Sequence, residues 1–246
     1  MKLMREQVKL NVWLPKHKRE QYLTIHKKLQ EKFATTMETL FNDIEGSANK
    51  YKEKLVEEYG TAYDYEVVDP SDIFENIEME TYEFYKAEKL MEYNFHLSLL
   101  ASTYQIFEQQ LRGFIYSELN HKLSPIRTKD EFSKFGFNMG QIKEAYEFLN
   151  YDLTKTSQWE TVELLADLVN TYKHGDGRSA KRLYNKNPDL FLKGYFGDER
   201  LMDVELTTNA EIVFDIEKVG FDKYTNAIIE FWEDFPEHLN PVVEID

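Results

Sequence analysis

Glu163, Asp167, Asn170 and His174 recur at i, i+4, i+7 and i+11, the spacing that lines four polar side chains along one side of a helix. Lys173 precedes the histidine, and Arg178, Lys181 and Arg182 follow it within eight residues. Histidine is the side chain that titrates nearest neutral pH, so it is suited to moving a proton under ordinary conditions. Cations packed around it would hold an anion in place. The same pattern also suits a solvated helix face whose cationic last turn complements the helix dipole.

The segment that positions these groups is SQWETVELLADLVNTYKHGDGRSAKRL, Ser157 to Leu183. Ser157 and Glu160 form a capping-box pattern at its start. Trp159, Val162, Leu165, Ala166, Leu168 and Val169 supply an apolar face. Gly175 predicts a stop at His174, because glycine readily takes the left-handed conformation just past a helix end.

A second polar stripe lies earlier, on a stretch with no glycine or proline except Gly113 from Asp72 to about Lys122. That predicts one very long helix, near ~75 Å at 1.5 Å per residue. From Tyr93 onward it is apolar on most sides, so it belongs at the centre. Asn94, Ser98, Ala101, Gln105, Glu108 and Arg112 share one face of it, and polar residues on a buried helix need partners. Glu108 and Arg112 can pair with each other at i, i+4. Alternatively this stripe faces the one that ends at His174, which would bring a carboxylate, a guanidinium and an imidazole into one pocket.

The remaining pattern is also helical. Lys16 to about Glu58 reads as one kinked helix or two, with Gly46 and Ser47 as the interruption. Asn138 to Leu149 reads as another, with Ile142, Ala145, Tyr146 and Leu149 inside. Asp130 to Phe137 reads as a short helix or loop, and Pro125 as the stop of the long helix. Phe221, Tyr224, Ile228, Trp232 and Phe235 mark the inner face of a last helix. Val8 to Leu14 predicts a short extended stretch. Val204–Leu206 and Glu211–Ile216 predict a small hairpin. The expected fold is an all-α helical bundle with one very long central helix and a small β-hairpin appendage near the C-terminus. Its regions are an N-terminal helical part (1–70), a bundle core (71–200) and the hairpin with an aromatic helix (201–246).

Composition narrows the function classes. Apolar residues make up 42% of 246, with 17 Phe and 16 Tyr, enough for a substantial core. There is no cysteine, which removes disulfides, thiolate metal sites and a thiol nucleophile. No apolar run is long enough to span a bilayer, so a cytoplasmic protein without membrane contact is expected. The six histidines are scattered, and no HExxH, Walker loop, G-x-G-x-x-G or G-x-S-x-G occurs, so no metal or cofactor is expected. The formal charge of −15 argues against broad nonspecific binding of nucleic acid and leaves room for a local basic site.

An all-α bundle whose core helix ends in Asn-x3-His, here Asn170-Thr171-Tyr172-Lys173-His174, resembles the HEPN domain (higher eukaryotes and prokaryotes nucleotide-binding). YQIFEQQLRGFIY, Tyr104 to Tyr116, is similar to the central helix of many bacterial members, and the likeness covers roughly residues 75–240. The resemblance implies a metal-independent endoribonuclease of a toxin–antitoxin module or phage-defence system, dimeric, with RNA as substrate and a protein partner or antitoxin. It also implies an arginine where Val169 stands. Arg178 or Arg112 would then supply the guanidinium; otherwise the site would bind RNA or a nucleotide without cleaving it, or the domain would be a degenerate member, a binding or regulatory subunit acting through protein contacts.

In the active version His174 would serve as acid and base towards the RNA 2′-hydroxyl, and Asn170 would orient its ring. Arg178 or Arg112 would clamp the phosphate, with Glu108 in the same pocket. Lys173, Lys181 and Arg182 would hold flanking phosphates.

Overall fold

A computed structural model of the chain describes residues 6–62, 69–123, 136, 138–194, 199–205 and 207–245. Helices dominate: α1 (Lys16–Leu40), α2 (Ile44–Ala62), α3 (Pro70–Leu123), α4 (Met139–Phe148), α5 (Trp159–His174), α6 (Arg178–Lys186), α7 (Leu201–Val204), α8 (Ile216–Val219) and α9 (Phe221–Asp234). The long helix is present and runs unbroken for 54 residues, Gly113 included. Pro70 suits its first turn, and Asp69 accepts there from the backbone amide and hydroxyl of Ser71 (2.9 and 2.7 Å).

Antiparallel strand pairing occurs near the C-terminus, but not where the sequence pattern put it. β1 (Glu6–Lys9) pairs with β4 (Val242–Ile245), and β2 (Val12–Trp13) with β3 (His238–Leu239). Over 204–216 the described residues hold the end of α7, one isolated bridge, Phe214 to Phe191, and the first residue of α8. The break after α1 also differs. Helix α2 starts at Ile44, before Gly46, because Asp43 accepts from the Gly46 amide (2.9 Å). A Cβ on Gly46 would lie 2.1 Å from that carboxylate, so a larger residue there would push the Asp43 side chain out of its capping position. Pro125 and most of Asp130–Phe137 lie outside the described residues.

The described chain divides into two compact units. The first comprises residues 1–30, 100–170 and 220–246. Its core is aromatic: Phe107 meets Phe231 edge to face at 5.1 Å, and Phe114 meets Phe235 at 5.6 Å. Tyr22, Tyr146 and Trp232 are buried with them, each such side chain stabilising the unit by roughly 1.5–3 kcal/mol. The buried Gln110 sits among these rings. Its Oε1 accepts from Trp232 Nε1 (2.8 Å) and lies 3.1 Å from His26 Nε2, while its Nε2 donates to the Tyr22 carbonyl (3.4 Å). With an acceptor opposite, His26 carries its proton on Nε2, and burial depresses its pKa.

The second unit comprises residues 31–99 and 171–219. Leu55, Ile73 and Ile77 pack with Tyr51 and Tyr59, and Tyr51 stacks on Phe84 at 4.5 Å. His96 is buried, edge-on to Phe33 at 4.9 Å. Burial pushes its pKa down to about 4.

Two predictions follow from these cores. Replacing Gln110 with Leu fills the same volume but strands two buried N–H groups, at a cost of about 2–4 kcal/mol. Urea unfolding measures it, and a difference under about 0.5 kcal/mol would refute the network's importance. The second concerns pH. His96 stays neutral in the fold while the unfolded chain protonates near its ordinary value of about 6.5. Stability from this group is therefore full above pH 6.5 and declines as pH falls towards about 4. Between pH 7 and 5 it should cost roughly 2 kcal/mol, and His96→Leu should lose correspondingly less stability on acidification; equal pH slopes would contradict this.

Candidate functional site

Helix α5 begins at Trp159, two residues after Ser157, so the expected capping box does not form its start. Trp159 N instead donates to the Thr156 carbonyl (3.1 Å), and the buried Gln158 side chain donates to Asp234 (2.8 Å). The helix ends where the sequence indicates. Gly175 takes φ 71°, and its amide donates to the Thr171 carbonyl (2.8 Å). The Thr208 hydroxyl, itself buried, donates to the Tyr172 carbonyl and covers another of the helix's last acceptors. After Gly177 the chain turns into α6, whose Ala180 and Leu183 face inward.

That corner turns its cations outward. Lys173, His174, Arg178, Lys181 and Arg182 are all exposed. Among the described residues no hydrogen bond or ion pair engages the His174 ring, whereas Arg182 Nη2 donates to Ser179 Oγ (3.1 Å). Asp176 is the one carboxylate between Lys173 and Arg182. It lies 3.7 Å from Arg200 Nη2. The position where the resemblance implies an arginine holds Val169, which is 2% exposed in the core of its unit.

The expected site residues divide between the two units. Glu108 and Arg112 on α3 and Asn170 on α5 belong to the first, each half-buried. His174, Lys173, Arg178, Lys181 and Arg182 belong to the second. Within the first unit α3 and α5 meet around Tyr104, whose hydroxyl pKa is raised by burial and then by Glu108, Asp167 and Glu163. The residues gathered there are acidic. Glu163 is held by Lys143 (3.0 Å) and by Trp159 Nε1 (3.1 Å), and Asp167 is buried. The stem of Arg112 lies along Gly136, 3.4 Å from where a Cβ would stand. Within the second unit α3 meets α5 differently: the Tyr172 hydroxyl donates to Asn94 Oδ1 (2.9 Å), and Asn94 Nδ2 donates to the Asn209 carbonyl (3.0 Å).

Arg200 is a further charged residue of the second unit, not marked out by the sequence pattern. Its guanidinium lies 4.9 Å over the Tyr184 ring and 5.7 Å from that of Phe191. Nε donates to both Asp203 oxygens (3.1 and 3.2 Å), and Nη2 also donates to Oδ1. The Asp203 carboxylate raises the pKa of Arg200, and the guanidinium lowers that of Asp203. The i, i+3 spacing of Arg200 and Asp203 was the one sequence signal; the aromatic seat comes from residues up to sixteen positions away.

The chain matches no protein-family model, no curated protein and no solved structure. Among the described residues no group of three or more His, Cys, Asp or Glu could hold a metal ion, and no helix is long and apolar enough to cross a membrane. Fold and corner together define an all-α protein that presents a short basic helix on a largely acidic chain.

Arg200→Lys should test the seat. Lysine keeps the charge but loses the paired donors and the flat stacking surface, so a destabilisation of about 1–2 kcal/mol is expected in thermal or urea unfolding. A variant as stable as the wild type would show that the seat contributes nothing.

Proposed function

We propose that the protein is a HEPN-like RNA-contacting protein that binds phosphates at the α5–α6 corner and does not cleave RNA by itself. The observation that carries this reading is the corner's composition: four exposed cations and an exposed imidazole within ten residues, with the lone acid among them drawn towards Arg200. Phosphate binding needs such a cluster and tolerates an acidic remainder, because charges beyond about 8–10 Å are largely screened at physiological salt.

Catalysis asks for more. A guanidinium at position 169 would enter the core, where an unpaired charge costs several kcal/mol. The absent family arginine is therefore not restored by a simple exchange at that site. The ribonuclease reading keeps one observation in its favour: the His174 ring is open to a substrate, with Arg178 four residues further on in the same unit. Under either reading the partners are RNA and, as the family resemblance implies, a second copy of the chain or a companion protein.

The test measures fluorescence anisotropy with single-stranded RNA between 50 and 200 mM salt, in EDTA. Four phosphate contacts predict a log–log salt slope of about −3, and Lys181→Glu with Arg182→Glu should flatten it by more than 1. Salt-independent binding, or none, sinks the proposal. The same RNA is followed on gels beside His174→Ala and Arg178→Ala. Equal trace degradation by all three proteins supports the binding reading. Cleavage that only the wild type performs makes the ribonuclease correct.

A further inference from the structure

Beside the basic helix, within the same unit, lies a cleft of about 260 Å³. Its frame is a small set of backbone hydrogen bonds: Leu192 N to Val213 O (2.9 Å), Leu201 N to Leu192 O (2.9 Å) and Asp215 N to Leu190 O (2.9 Å). Tyr184 and Phe191 stand in its wall, edge to face at 5.4 Å, with the Arg200 guanidinium over the tyrosine ring. Phe214 packs on Phe191 from behind at 4.9 Å. A second depression, about 220 Å³, shares Tyr184, Glu199 and Arg200 with the first and adds Lys181 and Asn185 of α6. The basic helix and the cleft are thus continuous through Tyr184.

The charges of the cleft decide what can enter it. Lys193, Arg200 and Lys218 line it together with Asp189, Glu199 and Asp215, so its formal charge is zero. Arg200 is committed to Asp203, and Lys218 to Asp215 (3.1 Å). A phosphate would face three carboxylates, and a metal cation three cationic groups. An alkyl chain would strand six charged groups. A neutral planar heterocycle with both donors and acceptors meets none of these penalties. It can stack on the Tyr184 ring or the Arg200 guanidinium, donate to Asp189 or Glu199, and accept from Lys193. The volume is below the ~300–1,000 Å³ usual for drug-sized ligands, which suits one ring system without its phosphates.

We infer that the Tyr184–Phe191–Arg200 cleft receives a single unstacked nucleobase of an RNA strand whose phosphates run along α6. This rests on the RNA-contacting reading and extends it: the ligand is single-stranded, because a duplex keeps its bases stacked and out of reach.

The test uses the full chain and fluorescence anisotropy with four labelled twelve-nucleotide homopolymer RNAs, an abasic ribose–phosphate strand of equal length, and a duplex. Base-bearing strands should bind about tenfold or more tightly than the abasic strand or the duplex, the contribution of roughly one stacked base. Tyr184→Leu should remove that advantage and leave abasic-strand binding as it was. Asp189→Asn with Glu199→Gln, two exposed and shape-conserving changes, should alter the ranking of the four homopolymers, and these carry the test if Tyr184→Leu fails to fold by circular dichroism. If the wild type binds abasic and base-bearing strands equally, or if Tyr184→Leu weakens both alike, the base pocket is wrong while the phosphate corner stands. If the wild type binds no RNA at all, both fall.

Discussion

A helix must find partners for every polar group it takes inward, and the second half of α3, where Tyr93 to Leu119 hold its buried residues, imposes that requirement on the rest of the chain. In the first unit the requirement falls on Gln110, whose amide is met by His26 of α1, Trp232 of α9 and the Tyr22 carbonyl. One uncharged side chain thereby fixes the mutual placement of three helices, and its acceptor sets the tautomer of the histidine. In the second unit Asn94 has the same task and is met by Tyr172 and the Asn209 carbonyl. Apolar packing alone would tolerate sliding along such a helix. The hydrogen bonds select one register, because a buried donor without its acceptor costs about 1–3 kcal/mol.

Residues with local causes were legible in the sequence. The end of α5 follows from Gly175, the extent of α4 from the Asn138 cap, and the inner face of α9 from its aromatic spacing. The α1–α2 break was displaced because an aspartate cap outranked a glycine as the local signal. The hairpin was misplaced for a different reason. The extended stretch expected over Val8–Leu14 holds the end of β1 and all of β2, but nothing local marks their distant partners, His238–Leu239 and Val242–Ile245, while Glu211–Ile216 has the right composition and no partner strand among the described residues. The candidate site was half legible in the same sense. Its cations stand within ten residues of one another and announce themselves. Arg200 and its aromatic seat are assembled by tertiary structure from separate segments.

In the RNA-contacting role proposed for this protein, the corner and the cleft would divide the recognition of a strand between two kinds of chemistry. Exposed cations on α6 would act through charge, without regard to sequence and with strong dependence on salt. The cleft next to them is electrically balanced and would act through shape, stacking and hydrogen bonds. A net charge of −15 is compatible with that role, because the attraction would be confined to one short helix and the repulsion elsewhere would keep the rest of the strand off.

The antiparallel pairing of β1 with β4 has a consequence for how the protein is made. The earlier strand of this pair must wait for the later one, which leaves the ribosome more than two hundred residues afterwards. At about 5–20 residues per second that delay is roughly ten to fifty seconds. For about the hundred residues between the end of α3 and the start of α9, the apolar half of α3 is already synthesised while α9, which packs on it, does not yet exist. The nascent chain therefore passes through a period in which a chaperone, or a second nascent copy, competes for a surface that the finished protein keeps for itself.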